Sequence, residues 1–532
     1  RPEAMGQSLP KAVESIVVER HADRSFRVGL AEMNGWRSAM EDAHLAILRD
    51  TWGFFGVFDG HGGSQCSAFV AKRLTEELGT GPIPVDDAAV KDMMLKVDRE
   101  FLDTKMDSGS TGTFVLVQRH QTETGRYLLR VGNIGDSRVL LGRADGTIVQ
   151  GPGTDGALTT DHKPDNPSER ERIERTGGTV ETAMGGVARV NGDLAVSRAF
   201  GDARHKEQGG PAQEDHPVSA EPEFTTITAD ATDFLVLVCD GISEGEFPNA
   251  EVIQLAAEKL KEGGPNADLG AICAAICRRA LARRSMDNLS CMIVQFGGGE
   301  EDVKAGGPHR ELIPGAFAAP SNSGFRKAYT EMATRAGLSM GQALELRYDI
   351  ARAEIKALEE GRAGEEGQSS LEDLRHEIAQ YAGGPAESLL PRSQERIRWF
   401  EKWLESHEVE SSPGISGMQI LQAMACRPCR PVLVAPLEKL KPAVMGHAAL
   451  KWDARYESLC GRRGVALVDD PEDGTSQVKV NVPQQTPIIA WLPKSTLIDV
   501  DDDVEEAEEE SSSSATPSTT DASSAAAVAD GS

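Results

Sequence analysis

Short apolar runs alternate with turn-rich polar segments through the first half of the chain. Runs of this kind, rich in Val, Ile, Leu and Phe and bounded by Gly, Asp and Asn, predict strands at 26–30, 43–48, 53–58, 113–117, 127–131, 139–141, 234–239 and 289–296. Between them, apolar residues recur at helical spacing at about 64–78, 85–105, 168–175, 251–261 and 269–283. Short strands with a few long helices predict an α+β fold. The pattern alone does not separate a sandwich from a single sheet.

The pattern changes after Gly297-Gly298-Gly299. Helical spacing follows at 325–337, 339–360, 371–381 and 393–407, with Gly361 as a stop for the second helix. Trp399, Phe400 and Trp403 share one face of the last helix, which favours a small packed bundle over a binding groove. Further on, 464–468, 477–480 and 488–492 read as strands, with a turn at 470–475. That unit, 448–498, is similar to a small SH3-like barrel. From 499 to 532 the chain is acidic and then Ser-, Thr- and Ala-rich, a composition that predicts disorder. The expected domains are thus 20–297, a linker at 298–320, a helical region at 321–410, the 448–498 unit and the 499–532 tail. The stretch 206–216, around Gly209-Gly210-Pro211, reads as a polar surface insertion.

At 532 residues the chain has room for two or more domains. A formal net charge of −28 argues against a general binder of nucleic acid or anionic membrane. No run reaches the roughly 18 apolar residues of a membrane span. Cys66, Cys239, Cys273, Cys277 and Cys291 lie in apolar contexts and read as buried reduced thiols, so an intracellular location, cytoplasmic or nuclear, is expected. Cys426-Arg427-Pro428-Cys429 lacks the second ligand pair of a zinc site. Met5-Gly6 opens like an N-myristoylation signal if Met5 initiates, but Pro10 stands where Ser or Thr is wanted.

Three acidic stretches, far apart, change the picture. They are Arg37-Ser38-Ala39-Met40-Glu41-Asp42, then Asp59-Gly60-His61-Gly62-Gly63 after an apolar run, and Asp240-Gly241 after another, with a late partner in Asp287-Asn288. An Asp that ends a buried strand sits at the rim of a sheet with little freedom. Several such carboxylates together repel one another unless cations lie between them. Hard oxygen ligands suit Mg²⁺ or Mn²⁺. An isolated Asp is ordinarily a turn or cap residue, so the argument rests on the set.

At these residues the chain resembles a metal-dependent Ser/Thr protein phosphatase of type 2C. The resemblance is an ordered series: Gly35-Trp36-Arg37, Met40-Glu41-Asp42, Phe58 to Gly63, Ser108 to Thr111, Asn133 to Arg138, Asp161-His162-Lys163-Pro164, Gly177 to Val180, Leu194 to Arg198, Phe200-Gly201-Asp202, Ala220 to Glu223, Asp240-Gly241 and Asp287-Asn288. It covers about residues 20 to 297 and nothing after Gly299. It implies two antiparallel sheets packed as a sandwich with helices outside, and a flap in 177–221 beside the catalytic cleft.

On that resemblance, Asp59 contacts two ions and Gly60 offers its carbonyl. Asp240 and Asp287 hold one ion, Glu41 supports the other through water, and Asp42 orients metal-bound waters. A water activated between the two ions attacks the phosphate. Arg37 forks onto the phosphate, its bland alternative being an ion pair with Glu41 or Asp42. His61 protonates the leaving Ser or Thr alkoxide, its bland alternative being a hydrogen bond within the turn. Asp136 belongs to a further, weaker metal in the family. Its usual Asp partner is replaced by Glu244, whose extra methylene moves the oxygens and leaves a third ion in doubt. The expected substrates are phosphorylated Ser/Thr proteins in signalling, handled by a monomer whose C-terminal region can hold a protein partner. The competing expectation is a pseudophosphatase that binds phosphoproteins as a scaffold. If the domains are separable, removing everything after Gly299 should leave small-substrate hydrolysis largely intact.

Overall fold

The run Trp52-Gly53-Phe54-Phe55-Gly56-Val57-Phe58 is apolar at every position because both faces of its strand are covered. Phe55 and Val57 point into the space between two sheets, and Phe54 and Phe58 point out toward helices. The same logic builds the central strands of the two-sheet core. The computed structural model describes residues 9–80, 83–84, 86–120, 122–182, 186–210, 212–243, 245–297, 309–360, 370–381, 384–386, 388–407, 430–446, 452, 454–470, 475–480 and 488–499. The chain forms two compact units, Arg1–Gly414 and Ile415–Ser532.

In the first unit, one antiparallel sheet has six strands in the spatial order β16 (His309–Ile313), β1 (Val13–Ala22), β2 (Phe26–Gly35), β15 (Leu289–Phe296), β14 (Phe234–Val238) and β9 (Arg138–Gly142). The other has five: β13 (Glu223–Asp230), β8 (Arg126–Ile134), β7 (Gly112–Arg119), β4 (Trp52–Phe58) and β3 (Ala43–Leu48). Their facing sides make one core, with Val28, Leu30, Val236 and Ile293 from the first sheet and Val57, Val115 and Val131 from the second. Helices α1 (Gln65–Thr80) and α2 (Asp87–Asp103) cover the outer side of the second sheet. Helix α3 (Pro167–Arg175) packs beside the 177–221 stretch, and α4 (Asp240–Ser243) is a single turn after β14. Helices α5 (Asn249–Gly263) and α6 (Leu269–Ala282) belong to the first core. Helix α6 lies so close to β2 that a methyl group on Gly29 would stand 2.2 Å from the Leu269 carbonyl carbon. The fold is the α+β sandwich expected.

The domain organisation differs from expectation at several points. The domain begins at Val13, not 20, because β1 completes the sheet beside β2. Its pattern is blurred by Glu19, Arg20 and His21, which are held in ion pairs. The expected linker at 298–320 supplies β16, paired with β1 from Ile16↔Ile313 to Arg20↔His309. Residues 298–308 lie outside the described residues. The helical region is not a free-standing bundle. Helices α7 (Ser323–Arg335), α8 (Met340–Glu359), α9 (Leu371–Gln380) and α10 (Gln394–Glu405) share a core with Val13, Val17 and Met40 of the sandwich. Phe400 and Trp403 are buried in that core, as a packed face requires.

The second unit holds a five-stranded sheet in the order β20 (Ile488–Pro493), β19 (Thr475–Val480), β18 (Arg463–Asp470), β17 (Arg430–Val434), β21 (Leu497–Asp499). A one-turn 3₁₀ helix, Lys494–Thr496, separates β20 from β21. The unit starts at least as early as Arg430, not at 448, because β17 pairs with both β18 and β21. Helix α11 (Leu437–Met445) packs Leu440 and Val444 into its core. Gly361, Cys426, Cys429, the 471–474 turn, Met5-Gly6 and the tail beyond Asp499 lie outside the described residues.

Candidate active site

Two pairs of carboxylates end at one rim of the sandwich. Ala43 pairs with Phe58, so Asp42 and Asp59 are neighbours at the end of one sheet. Val238 pairs with Cys291, so Asp240 and the Asp287-Asn288 dipeptide are neighbours at the end of the other. The Ser290 hydroxyl donates to Asp42 Oδ2 at 2.6 Å and links the two sheets there.

The backbone around the rim is held tightly. Asn288 Oδ1 accepts from the Glu41 N–H at 3.0 Å, and its Nδ2 donates to the carbonyls of Asn34 and Ala39. The Ser67 hydroxyl donates to the Glu41 carbonyl. Gly60 is buried, and a Cβ there would stand 2.2 Å from the Glu41 carbonyl oxygen, so no side chain fits. The Asp59 N–H donates to Thr111 Oγ1, and its carbonyl accepts the Thr111 N–H at 2.8 Å.

Charge is concentrated here. Burial, and then repulsion from Asp240, Asp42, Asp287 and Asp136, push the Asp59 carboxyl well above the usual carboxylate range. Burial, with Asp287 and Glu32 adding to it, pushes Asp42 up to about 7. Its Oδ1 is buried without a hydrogen-bond partner. Burial also raises Glu41. Among the described residues no three His, Cys, Asp or Glu side chains converge on one point as they stand. The strands bring the carboxylates into each other's field, and the donor set is hard oxygen throughout. A cluster that resists its own ionisation, with an orphaned carboxylate oxygen, fits Mg²⁺ or Mn²⁺.

Arg37 Nη2 donates to Asp287 Oδ2 at 2.5 Å. Its ion-pair partner is therefore Asp287, not the Glu41 or Asp42 weighed from sequence. Burial works against its charge, but Asp287, Asp240 and Asp59 outweigh that and raise its pKa. The side chain remains 54% exposed at the rim. Asp136 accepts from Lys163 Nζ at 2.7 Å. Glu244 lies outside the described residues.

His61 sits in β5 (Gly60–His61), which pairs with β6 (Gly109–Ser110), itself paired with β12 (Phe200–Gly201). This small sheet carries Asp202 to His61. Burial disfavours the charged imidazole, but Asp202 and then Asp136 and Glu41 outweigh it and raise its pKa. Sequence reading missed the roles of Asp202, Asn288 and Ser290. Each lies in or beside a quoted motif, yet only the fold supplies its partner. The open depression lined by Arg175, Thr176, Gly177, Gly209, Gly210 and Asp215 includes none of these carboxylates.

The sequence profile of the protein phosphatase 2C family matches residues 26–289. The chain is similar to a probable protein phosphatase 1N of Mus musculus, 35% identical over 56% of this chain and 72% of that protein. It is likewise similar to protein phosphatase 1B of Mus musculus, 35% identical over 56% of this chain and 79% of that one. A protein phosphatase 2C homolog 2 of Schizosaccharomyces pombe is 34% identical over 56% of this chain and 81% of that protein. Among solved structures, a Toxoplasma gondii phosphatase covers 56% of this chain and 99% of its own, with 29% identity and a TM-score of 0.48.

A two-sheet sandwich with an acidic rim, in a chain with these relatives, defines a phosphoprotein phosphatase. The chain belongs to the protein phosphatase 2C family, whose members are serine/threonine protein phosphatases that depend in general on Mg²⁺ or Mn²⁺.

Proposed function

We propose that this enzyme hydrolyses phosphoserine and phosphothreonine in proteins with two divalent cations held at the acidic rim. Asp59, the Gly60 carbonyl, Asp240 and Asp287 would ligate them, with Glu41 and Asp42 acting through water. When bound, the cations supply an activated water and neutralise the phosphoryl oxygens. Arg37, exposed at the rim and raised in pKa, orients the phosphate by bidentate hydrogen bonding. His61, charged and aligned by Asp202, gives its proton to the departing alkoxide oxygen. The observation that carries this reading is the mutual repulsion of Asp59, Asp240, Asp42 and Asp287, which a pair of cations would relieve.

The test is hydrolysis of a phosphothreonine peptide with Mn²⁺. Turnover that needs the metal, stops with chelator and is abolished in Asp59→Asn supports the reading; equal turnover in that variant overturns it. We read the second unit as an SH3-like module for a protein partner, on the strength of its strand order and its 3₁₀ turn before the last strand. Removing 415–532 should leave aryl phosphate hydrolysis unchanged.

A further inference from the structure

The segment Met40-Glu41-Asp42 has no regular secondary structure, yet it carries two of the rim carboxylates. A ligand on irregular backbone needs something else to fix it. Asn288 and Ser67 hold Glu41 from one side. Helix α7 holds the residues around it from the other. Glu331 Oε2 accepts from the Met40 N–H at 3.3 Å. Arg335 Nη2 donates to the Met40 carbonyl at 2.8 Å and to the Asp42 carbonyl at 3.2 Å. The Met40 side chain is buried in the helical core beside Tyr329 and Met332.

We propose that Arg335 is a positioning residue for the metal site, through which the helical region sets the affinity of the rim for divalent cations. This rests on the metal-dependent reading above. One guanidinium nitrogen bridges the carbonyls of the residues before and after Glu41, so it fixes the 40–41 and 42–43 peptide planes between which Glu41 is strung. Glu331, one turn earlier on the same helix, fixes the Met40 N–H. Arg310 of β16 donates to the Arg335 carbonyl at 2.9 Å and ties the helix end to the sheet. Helix α7 therefore grips the ligand-bearing segment rather than merely lying behind it. The plainer role for Arg335 is charge compensation of buried Glu32, whose Oε2 lies 3.1 Å from Nη1. The two roles make different demands. Charge compensation needs only the Glu32 contact, whereas positioning needs the two carbonyls.

The test compares Arg335→Ala, Arg335→Lys and Glu32→Gln in the full chain. Mn²⁺ affinity is measured by calorimetry, and the Mn²⁺ concentration for half-maximal aryl phosphate hydrolysis is measured alongside. Arg335→Ala should weaken Mn²⁺ binding about tenfold or more in both readouts, as loss of outer supports to metal ligands does. Arg335→Lys should recover part of that loss. Glu32→Gln should lower the melting temperature and move Mn²⁺ affinity far less. A folded Arg335→Ala protein with wild-type Mn²⁺ affinity overturns the proposal. If that variant does not fold, wild-type affinity in Arg335→Lys overturns it instead. A wild-type protein that binds no Mn²⁺ would instead sink the metal-dependent reading itself.

Discussion

His61 Nε2 and Asp202 Oδ2 stand 2.8 Å apart, joined across the two-residue strands of the small third sheet. The carboxylate favours the charged imidazole and aims it. Asp202→Asn should therefore lower kcat on a phosphothreonine peptide by about 10- to 100-fold. It should also move the alkaline limb of the pH–rate profile to lower pH, because the acid form of His61 would be lost earlier. An aryl phosphate has a good leaving group and needs little protonation, so its rate should fall much less. Equal losses on both substrates would count against an acid role for His61.

Asp59 is costly to the apoprotein. Its charge is opposed by burial and by four neighbouring carboxylates. Asp59→Asn removes that repulsion and should raise the melting temperature in chelator, by roughly 2–4 °C for each 1 kcal/mol relieved. The same variant should lose the stabilisation that Mn²⁺ gives the wild type. Differential scanning calorimetry with and without Mn²⁺ checks both signs.

Gly109 leaves no room for a side chain between acid and base. A Cβ there would stand 2.2 Å from both His61 Nε2 and Asp202 Oδ2. Gly109→Ala should separate the pair and lower kcat on phosphopeptides, again by about 10- to 100-fold. Mn²⁺ affinity should hardly change, since Gly109 touches no rim carboxylate in these contacts. Calorimetric Mn²⁺ titration beside steady-state kinetics makes the distinction.

The expectation that small-substrate hydrolysis survives a cut after Gly299 holds only for separable domains, and such a cut here divides a shared core. Cutting there bares Val13, Val17 and Met40, all fully buried against the helical region. Re-exposing three such side chains costs roughly 5 kcal/mol. The fragment ending at 299 should melt well below the one ending at 407, and its aryl phosphate turnover should require more Mn²⁺. Matching melting curves would refute this.

Glu169 anchors the stretch around Ser197 and Arg198 to α3. It accepts from Arg198 at 2.8 Å and Arg172 at 2.7 Å, and its side chain is 3% exposed. Burial opposes its charge, but Arg198 and Arg172 outweigh that and lower its pKa to about 2. A depressed folded-state pKa gives stability that is present above the ordinary Glu value near 4.5 and is lost as pH falls toward 2. Glu169→Gln should lower stability at pH 7 by up to roughly 3 kcal/mol and flatten the acid limb over that window. Urea melts at pH 7 and pH 3 measure it.

The strands legible in the sequence are those whose apolar content is continuous. The run at 43–48 matches β3 residue for residue, and 53–58 falls one residue short of β4. Strands that carry polar residues for lateral contacts were not legible. In β13, Thr225, Thr226 and Thr228 interrupt the pattern, and in β16 only Leu312 is buried. The rim carboxylates were legible because each ends or begins a strand at a motif. The partner of His61 was not, because Asp202 lies 141 residues away and meets it only through three short strands. Arg335 carried no signal, since the contacts that reach the rim are to backbone carbonyls, which any residue possesses, and Glu32 lies 303 residues away.

Strand β16 has a consequence for solubility. It lies along β1 and occupies hydrogen-bonding groups that would otherwise face outward along the margin of the six-stranded sheet. Proteolysis between 298 and 308 followed by loss of the distal piece would uncover a ready template for intermolecular pairing. The first symptom of such nicking would then be self-association, alongside the weaker Mn²⁺ binding expected from loss of Arg335.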